Sequence, residues 1–295
     1  MALIRPKSVM ISSDRLRGIL LALTAVFFLS LTPALVKGAI SLGSDPLSLL
    51  ALRMVVAAAL LWIIFGVFNR NTMHINKRSL FFCAVVALAN STSMGLYYLA
   101  LTRINASIAH VTFSIFPLIA LIFLALRGEQ ITRLALLRFG LAFVGIYCLV
   151  VPAGKMDAIG LVLVLGTATF YALHMNCIQW FLYEERPRTV ALYVVSFMAL
   201  FTTLADLLKG WDRPSLSPEG WLVILITGIF STALARLAMF SAIKSLGSGQ
   251  TALLGPVETL LAVTWALVFL GEKLSPLQIF GGLLIVSSTL LAFKS

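Results

Sequence analysis

Long apolar runs, each ended by one or more Lys or Arg residues, follow one another from residue 18 to residue 293. A bilayer hydrocarbon core about 30 Å thick takes roughly 17 to 25 helical residues to cross. Ten stretches meet that length: 18–37, 47–68, 79–101, 105–126, 134–151, 158–182, 189–209, 220–243, 247–270 and 275–293. They are numbered here as spans 1 to 10. Runs such as 79–102 show none of the alternation that membrane β-strands of about ten residues require, so the pattern predicts an all-α membrane protein and not a barrel. Residues 1–15 are too polar for a secretory leader, and span 1 reads as a retained helix.

Composition supports lipid as the solvent. The 295 residues are 60% hydrophobic and 11% charged, with a mean hydropathy of +1.03, too little polar surface to enclose a water-soluble globule. The net charge of +11 lies in short tracts between apolar runs and not on one soluble face, which excludes nucleic acid as the expected partner. Cys83, Cys148 and Cys177 sit inside apolar runs without CxxC or metal-ligand spacing. Packing is their expected role, and no disulfide, metal or cofactor is implied.

Basic residues orient the spans. With the N-terminus inside, 14 Lys and Arg fall on the cytoplasmic side and 6 on the other, while Arg53 and Arg236 lie within spans. The excess places both termini in the cytoplasm of a bacterial inner membrane. Trp62 and Trp180 at one level and Trp211 and Trp221 at the other fit interfacial belts.

Shifting the chain against itself by about 142 residues brings Gly18 onto Gly160, Leu21 onto Leu163, Leu23 onto Leu165 and Phe28 onto Phe170. Nearly the same shift brings Gly128-Glu129 onto Gly271-Glu272, and each pair precedes a last span carrying Phe-Gly, at Phe139-Gly140 and Phe280-Gly281. The order of these matches argues for an internal repeat, 1–151 and 152–295. Five spans per copy is an odd number, so the second copy must run opposite to the first around a central cavity. Such inverted halves suit a secondary transporter, because they can exchange conformations around one central site.

The residues carry a resemblance as well. Tyr97 to Ser107 (YYLALTRINAS), then Pro117 and Gly128-Glu129, resemble the fourth-helix region of EamA-type members of the drug/metabolite transporter superfamily. Ala242 to Gly249, then Pro256 and Gly271-Glu272, resemble the same region in the second copy. The resemblance covers about Gly18 to Phe293 and implies a ten-helix fold that moves small organic solutes, often outward, amino acids among them. The copies differ in one respect. Pro117 lies 12 residues before Glu129, but Pro256 lies 16 before Glu272, about one helical turn more.

A charged side chain at mid-membrane costs about 2.5–3.5 kcal/mol on insertion scales, so it faces a cavity or a partner. Glu258 is the one carboxylate near the middle of a span. Arg236 is its expected neighbour, since each lies 11 positions from Gly247, about 16 Å deep at 1.5 Å per residue. The pair reads as a solute site or as a structural ion pair. Arg53 is expected to line an external vestibule or to snorkel toward the interface. His110 and Ser114 form a polar stripe on span 4, with Tyr98 expected at the same turn from span 3. Thr167, Tyr171 and His174 share a face of span 6. Asn90, Ser91, Thr92 and Ser93 cluster in mid-span 3, as solute contacts or as hydrogen-bonding glue. Gly140, Gly145, Gly281 and Gly282 are expected to let helices pack closely. Spans 3, 4, 8 and 9 are therefore expected to line the path, with Asn90, Tyr98, His110, Ser114, Tyr171, His174, Arg236 and Glu258 as the candidate substrate-binding residues.

Competing functions find little support. HExxH, GxSxG and paired-Asp motifs are missing, which argues against a membrane enzyme. No ring of like charges suggests a channel, and no Walker lysine loop suggests an ATP-driven pump. Protons or a counter-substrate are the expected coupling partners, and monomer and homodimer both remain open. One acid and one base suit a zwitterion. Glu258 with Tyr98, Tyr171 and Trp265 would suit a lipophilic cation, and a sugar phosphate or nucleotide would call for more basic residues.

Overall fold

The computed structural model describes residues 13–126, 157–209, 216–246 and 255–290, with isolated positions between 137 and 148. Helices make up all of the regular structure among them: α1 (Ser13–Ser41), α2 (Pro46–Phe68), α3 (Lys77–Leu101), α4 (Ala106–Phe113), α5 (Phe116–Ala125), α6 (Ala158–Phe181), α7 (Pro187–Leu208), α8 (Pro218–Ile226), a π-helical segment (Thr227–Leu234), α9 (Ala235–Leu246), α10 (Gly255–Leu270) and α11 (Pro276–Leu290). Six stretches are long and apolar enough to cross a membrane: Leu16–Ser41, Pro46–Phe68, Lys77–Leu101, Ala158–Ile178, Pro187–Leu208 and Pro218–Met239. Shorter apolar helices, including Val257–Leu270 and Pro276–Ser288, add to them. The protein is a multi-pass helical membrane protein. Span 5 lies largely outside the described residues, as do residues 247–254 of span 9.

Side chains at the loop edges set where helices begin. Asp45 accepts from the Ser48 amide at 3.0 Å with Pro46 behind it, and Asn76 accepts from the Ser79 amide at 2.7 Å. Asp157 accepts from Ile159 and Gly160, and Ser217 from Gly220. Each cap satisfies an amide that no intrahelical carbonyl can reach, worth about 1 kcal/mol. Apolar pattern alone starts spans 2, 3, 7 and 8 one or two residues late, because it misses the proline, lysine or arginine of the first turn.

Span 4 is not one helix. It breaks at Ser114–Ile115 into α4 and α5. Pro117 has no amide to offer the Phe113 carbonyl, whereas a proline in the first turn of a new helix loses nothing. The Leu118 amide instead reaches back only to the Ile115 carbonyl, at 2.9 Å.

Span 8 is continuous from Pro218 to Leu246 but widens through the π-helical segment. There the Thr232 hydroxyl donates to the Thr227 carbonyl, five residues back, at 3.0 Å.

Helices of the first half find their main neighbours in the second: α3 lies along α6, α2 along α7, and α1 against α9 and α10. Gly145 shows why small residues matter at such crossings. A Cβ there would stand 2.7 Å from the Gly281 carbonyl oxygen, so only glycine fits. The space beside Gly140 is open, and a Cβ on Gly282 would make only ordinary contact with Val111, so the close approach expected for these two is not made. Apolar side chains such as Ile63, Phe81, Val162 and Leu222 point outward, as lipid permits.

One end of the bundle is tied across the halves. Within the first half Lys37 donates to the Leu101 and Ile104 carbonyls at 2.6 and 3.0 Å, and across the halves Ser44 meets Ser217 at 3.2 Å. Asp45 pairs with Lys209, and Arg103 with Asp157 at 2.7 Å. Glu272 accepts from the Ala106 and Ser107 amides at 2.7 and 3.0 Å and from the Ser107 hydroxyl, capping α4 from the other half. Burial would push the Asp45 carboxyl up, but Lys209 and Ser48 hold it below its ordinary value. The Arg103 guanidinium holds Asp157 low in the same way.

Candidate functional site

Arg53 is buried in the middle of the bundle, 2% exposed. Its Nε donates to Thr232 Oγ1 and its Nη1 to Tyr98 Oη, both at 2.7 Å. The Thr232 hydroxyl can receive that bond because its own proton goes to the Thr227 carbonyl across the π turn. The arginine neither snorkels nor lines an exposed vestibule. Removing a guanidinium from water costs several kcal/mol, and two charge-assisted hydrogen bonds of about 1.5–3 kcal/mol each are what offset it here.

Arg236 follows Thr232 by one helical turn. It meets the side-chain amide of Asn90, which is fully buried on α3. With the Asn90 carbonyl turned toward it, Arg236 Nη2 and Nη1 donate at 3.0 and 3.2 Å. The same oxygen lies 3.3 Å from His174 Nε2, while His174 Nδ1 lies 3.0 Å from the Val86 carbonyl. Two guanidinium donors decide the orientation of the amide, since an NH2 group there would oppose both.

Glu258 stands elsewhere. Its nearest basic partner is His110, Nε2 to Oε1 at 3.9 Å, and its side chain is 22% exposed. His110 Nδ1 is 3.3 Å from Tyr97 Oη, so Tyr97, His110 and Glu258 form a loose chain from α3 through α4 to α10. Ring to ring, Phe113 lies 5.7 Å from His110 on the Glu258 side, and on the Arg236 side His174 lies 5.6 Å from Tyr171. The Tyr171 ring meets Phe113 and Phe116 at 5.2 and 4.8 Å, edge to face. An acidic group and a basic group thus flank an aromatic wall.

The EamA-like transporter family matches residues 16–151 and, a second time, residues 158–294. The chain belongs to that family. This EamA-like transporter is 22% identical over 263 residues to an uncharacterized transporter of Bacillus subtilis (strain 168), YcbK, covering 83% of each chain. It also superposes on a solved crystal structure with a TM-score of 0.64, covering 93% of this chain and 96% of that one. At 19% identity that likeness shows the fold alone.

Within the EamA-like transporter, the expected residues divide. Asn90, His174 and Arg236 come together, with Tyr171 stacked near His174 at 5.6 Å. His110 and Glu258 form the opposite group. Three expectations are corrected. Glu258 pairs with His110 and not with Arg236. Tyr98 turns to Arg53, and its neighbour Tyr97 is the one that meets His110, because consecutive helical residues point about 100° apart. Ser114 donates back to the Val111 carbonyl at 2.6 Å, at the break between α4 and α5, and does not extend the His110 stripe. Trp265 donates to Ser30 and stacks on Phe269, away from Glu258. Ser93 bonds the Thr167 carbonyl and Thr92 its own helix, so part of the span 3 cluster is packing glue.

Sequence reasoning missed Thr232 and Tyr97 and misplaced Arg53. The one-turn spacing of Thr232 and Arg236 was a usable signal for the first. The adjacency of the two tyrosines was one for the second.

Proposed function

We propose that the protein is a secondary transporter of small organic metabolites, amino acids foremost, acting outward across a bacterial inner membrane. In this reading ten spans form two inverted halves, 1–151 and 152–295, with both termini cytoplasmic. Protons or a counter-substrate supply the coupling, and Asn90, Tyr171, His174, Arg236, His110 and Glu258 contact the solute.

The observation that carries the reading is that Glu258 meets His110 and not Arg236, with the Phe113 and Tyr171 rings between His110 and the His174–Asn90–Arg236 group. An acid and a base that do not neutralise each other leave room for a zwitterion to bridge them, its ammonium at Glu258 and its carboxylate toward Arg236. A second reading, efflux of lipophilic cations, draws on the Phe113, Phe116 and Tyr171 rings, which reach Glu258's partner His110 through Phe113.

Flux of labelled L-leucine, L-glutamate, L-lysine and tetraphenylphosphonium in reconstituted vesicles, with and without a pH gradient, separates the two. Movement of at least one amino acid, blunted in Glu258→Gln, is expected. Transport of tetraphenylphosphonium alone would remove the amino-acid assignment.

A further inference from the structure

The interior holds two guanidiniums whose acceptors are all neutral. Arg53 gives its protons to Thr232 and Tyr98, and Arg236 gives its own to Asn90. Thr232 and Arg236 lie one turn apart on the same helix, so the bond from Arg53 to Thr232 brings the two cations side by side, near enough to repel. No carboxylate on the described residues is paired with either arginine. Glu258 faces His110, Glu272 caps α4, Asp45 pairs with Lys209, Asp157 with Arg103, and Asp206 accepts from Ser48. Among the described residues, Arg53 Nη2 has no acceptor.

Two like charges side by side in the interior, Arg53 buried and Arg236 half-buried, are expensive without an anion, and neutral acceptors offset only part of that cost. A single oxyanion group between them would satisfy the free donor edge of Arg53 and relieve the repulsion. It would also find the planar, fixed donor forks that suit a carboxylate. A third positive charge at the same place would be repelled.

We propose that Arg53 and Arg236 together form the seat of the solute's carboxylate, so that carboxylate-bearing solutes, and not lipophilic cations, are the substrate class. The proposal rests on the reading of the interior as a solute path and adds Arg53 to it. Tyr98 and Thr232 act through Arg53, holding its guanidinium in place, and are positioning residues. With Glu258 ionised, the interior carries two positive side chains and one negative. A solute with one net negative charge then leaves it neutral.

The test uses the full chain purified in detergent, with sodium acetate as the minimal carboxylate probe and tetraethylammonium chloride as the cation control at matched ionic strength. Acetate is expected to raise the Tm of the wild type, and tetraethylammonium is not. In Arg53→Gln and Arg236→Gln the apparent acetate affinity should fall about tenfold, the loss of one charge-assisted hydrogen bond. Arg103→Gln, at the exposed pair with Asp157, should respond as the wild type does. If Arg53→Gln does not fold, Arg236→Gln alone decides. No acetate response in the wild type, an undiminished response in the arginine variants, or a rise with tetraethylammonium would overturn the proposal. An intact acetate response without amino-acid flux would sink the amino-acid assignment and leave the seat standing. Amino-acid flux surviving in Arg236→Gln, with acetate affinity unchanged, would sink the seat alone.

Discussion

The two charged groups of the interior are built in opposite ways. Arg53 is buried and donates at 2.7 Å, half-buried Arg236 donates at 3.0 and 3.2 Å, and the acceptors of both are neutral. Around Glu258 the one basic contact spans 3.9 Å and the side chain is only partly buried. The first arrangement holds charge rigidly, the second loosely. Rigid donors preorganise a binding contact, and a loosely held carboxylate is free to change partner or proton.

Substitutions can break that contrast. The largest expected effect is that of Asn90→Leu, which strips the half-buried Arg236 guanidinium of its acceptor. A loss of about 3 kcal/mol in the unfolding free energy of the detergent-solubilised protein is expected. An unchanged stability would mean that Arg236 has a further partner. Glu258→Gln should cost less than about 1 kcal/mol, since a 3.9 Å contact is too long to be a hydrogen bond, yet vesicle flux should fall sharply or lose its pH dependence. Wild-type flux at every pH would make this glutamate structural.

The smallest effect sharpens the picture at the tied end. Asp45 and Asp157 have carboxyls held below their ordinary values, so their stabilisation is complete above about pH 4 and is lost as pH falls through the depressed values. Thermal unfolding followed from pH 6 to pH 3 should show a drop confined to the acid end, shallower in Lys209→Gln. A drop centred near pH 6 would point to histidine instead.

Much of this was legible beforehand because lipid imposes a simple rule on length and polarity. Apolar runs gave α1, α2, α3, α6, α7 and the continuous α8–α9 to within a few residues. The ordered Gly-Glu and Phe-Gly matches pointed to the family. Side-chain pairing was harder. Arg53 looked shallow because depth was counted along its own helix, whereas Tyr98 and Thr232 come from two other helices to cover it. Arg236 and Glu258 share a depth in sequence, but depth fixes only one of three coordinates. Azimuth around each helix depends on packing, and on the π turn that no apolar pattern reveals.

That turn acts as a register device. An i→i+5 turn takes up one residue more than an α turn does, and one residue corresponds to about 100° of rotation around a helix. Everything after Leu234 is therefore swung by roughly that angle from where an uninterrupted α-helix beginning at Pro218 would aim it. Arg236 is the first charged side chain past the shift. A chain shortened by one residue within 227–234 would keep its hydropathy and its length for crossing the bilayer, yet would point that guanidinium at a different neighbour.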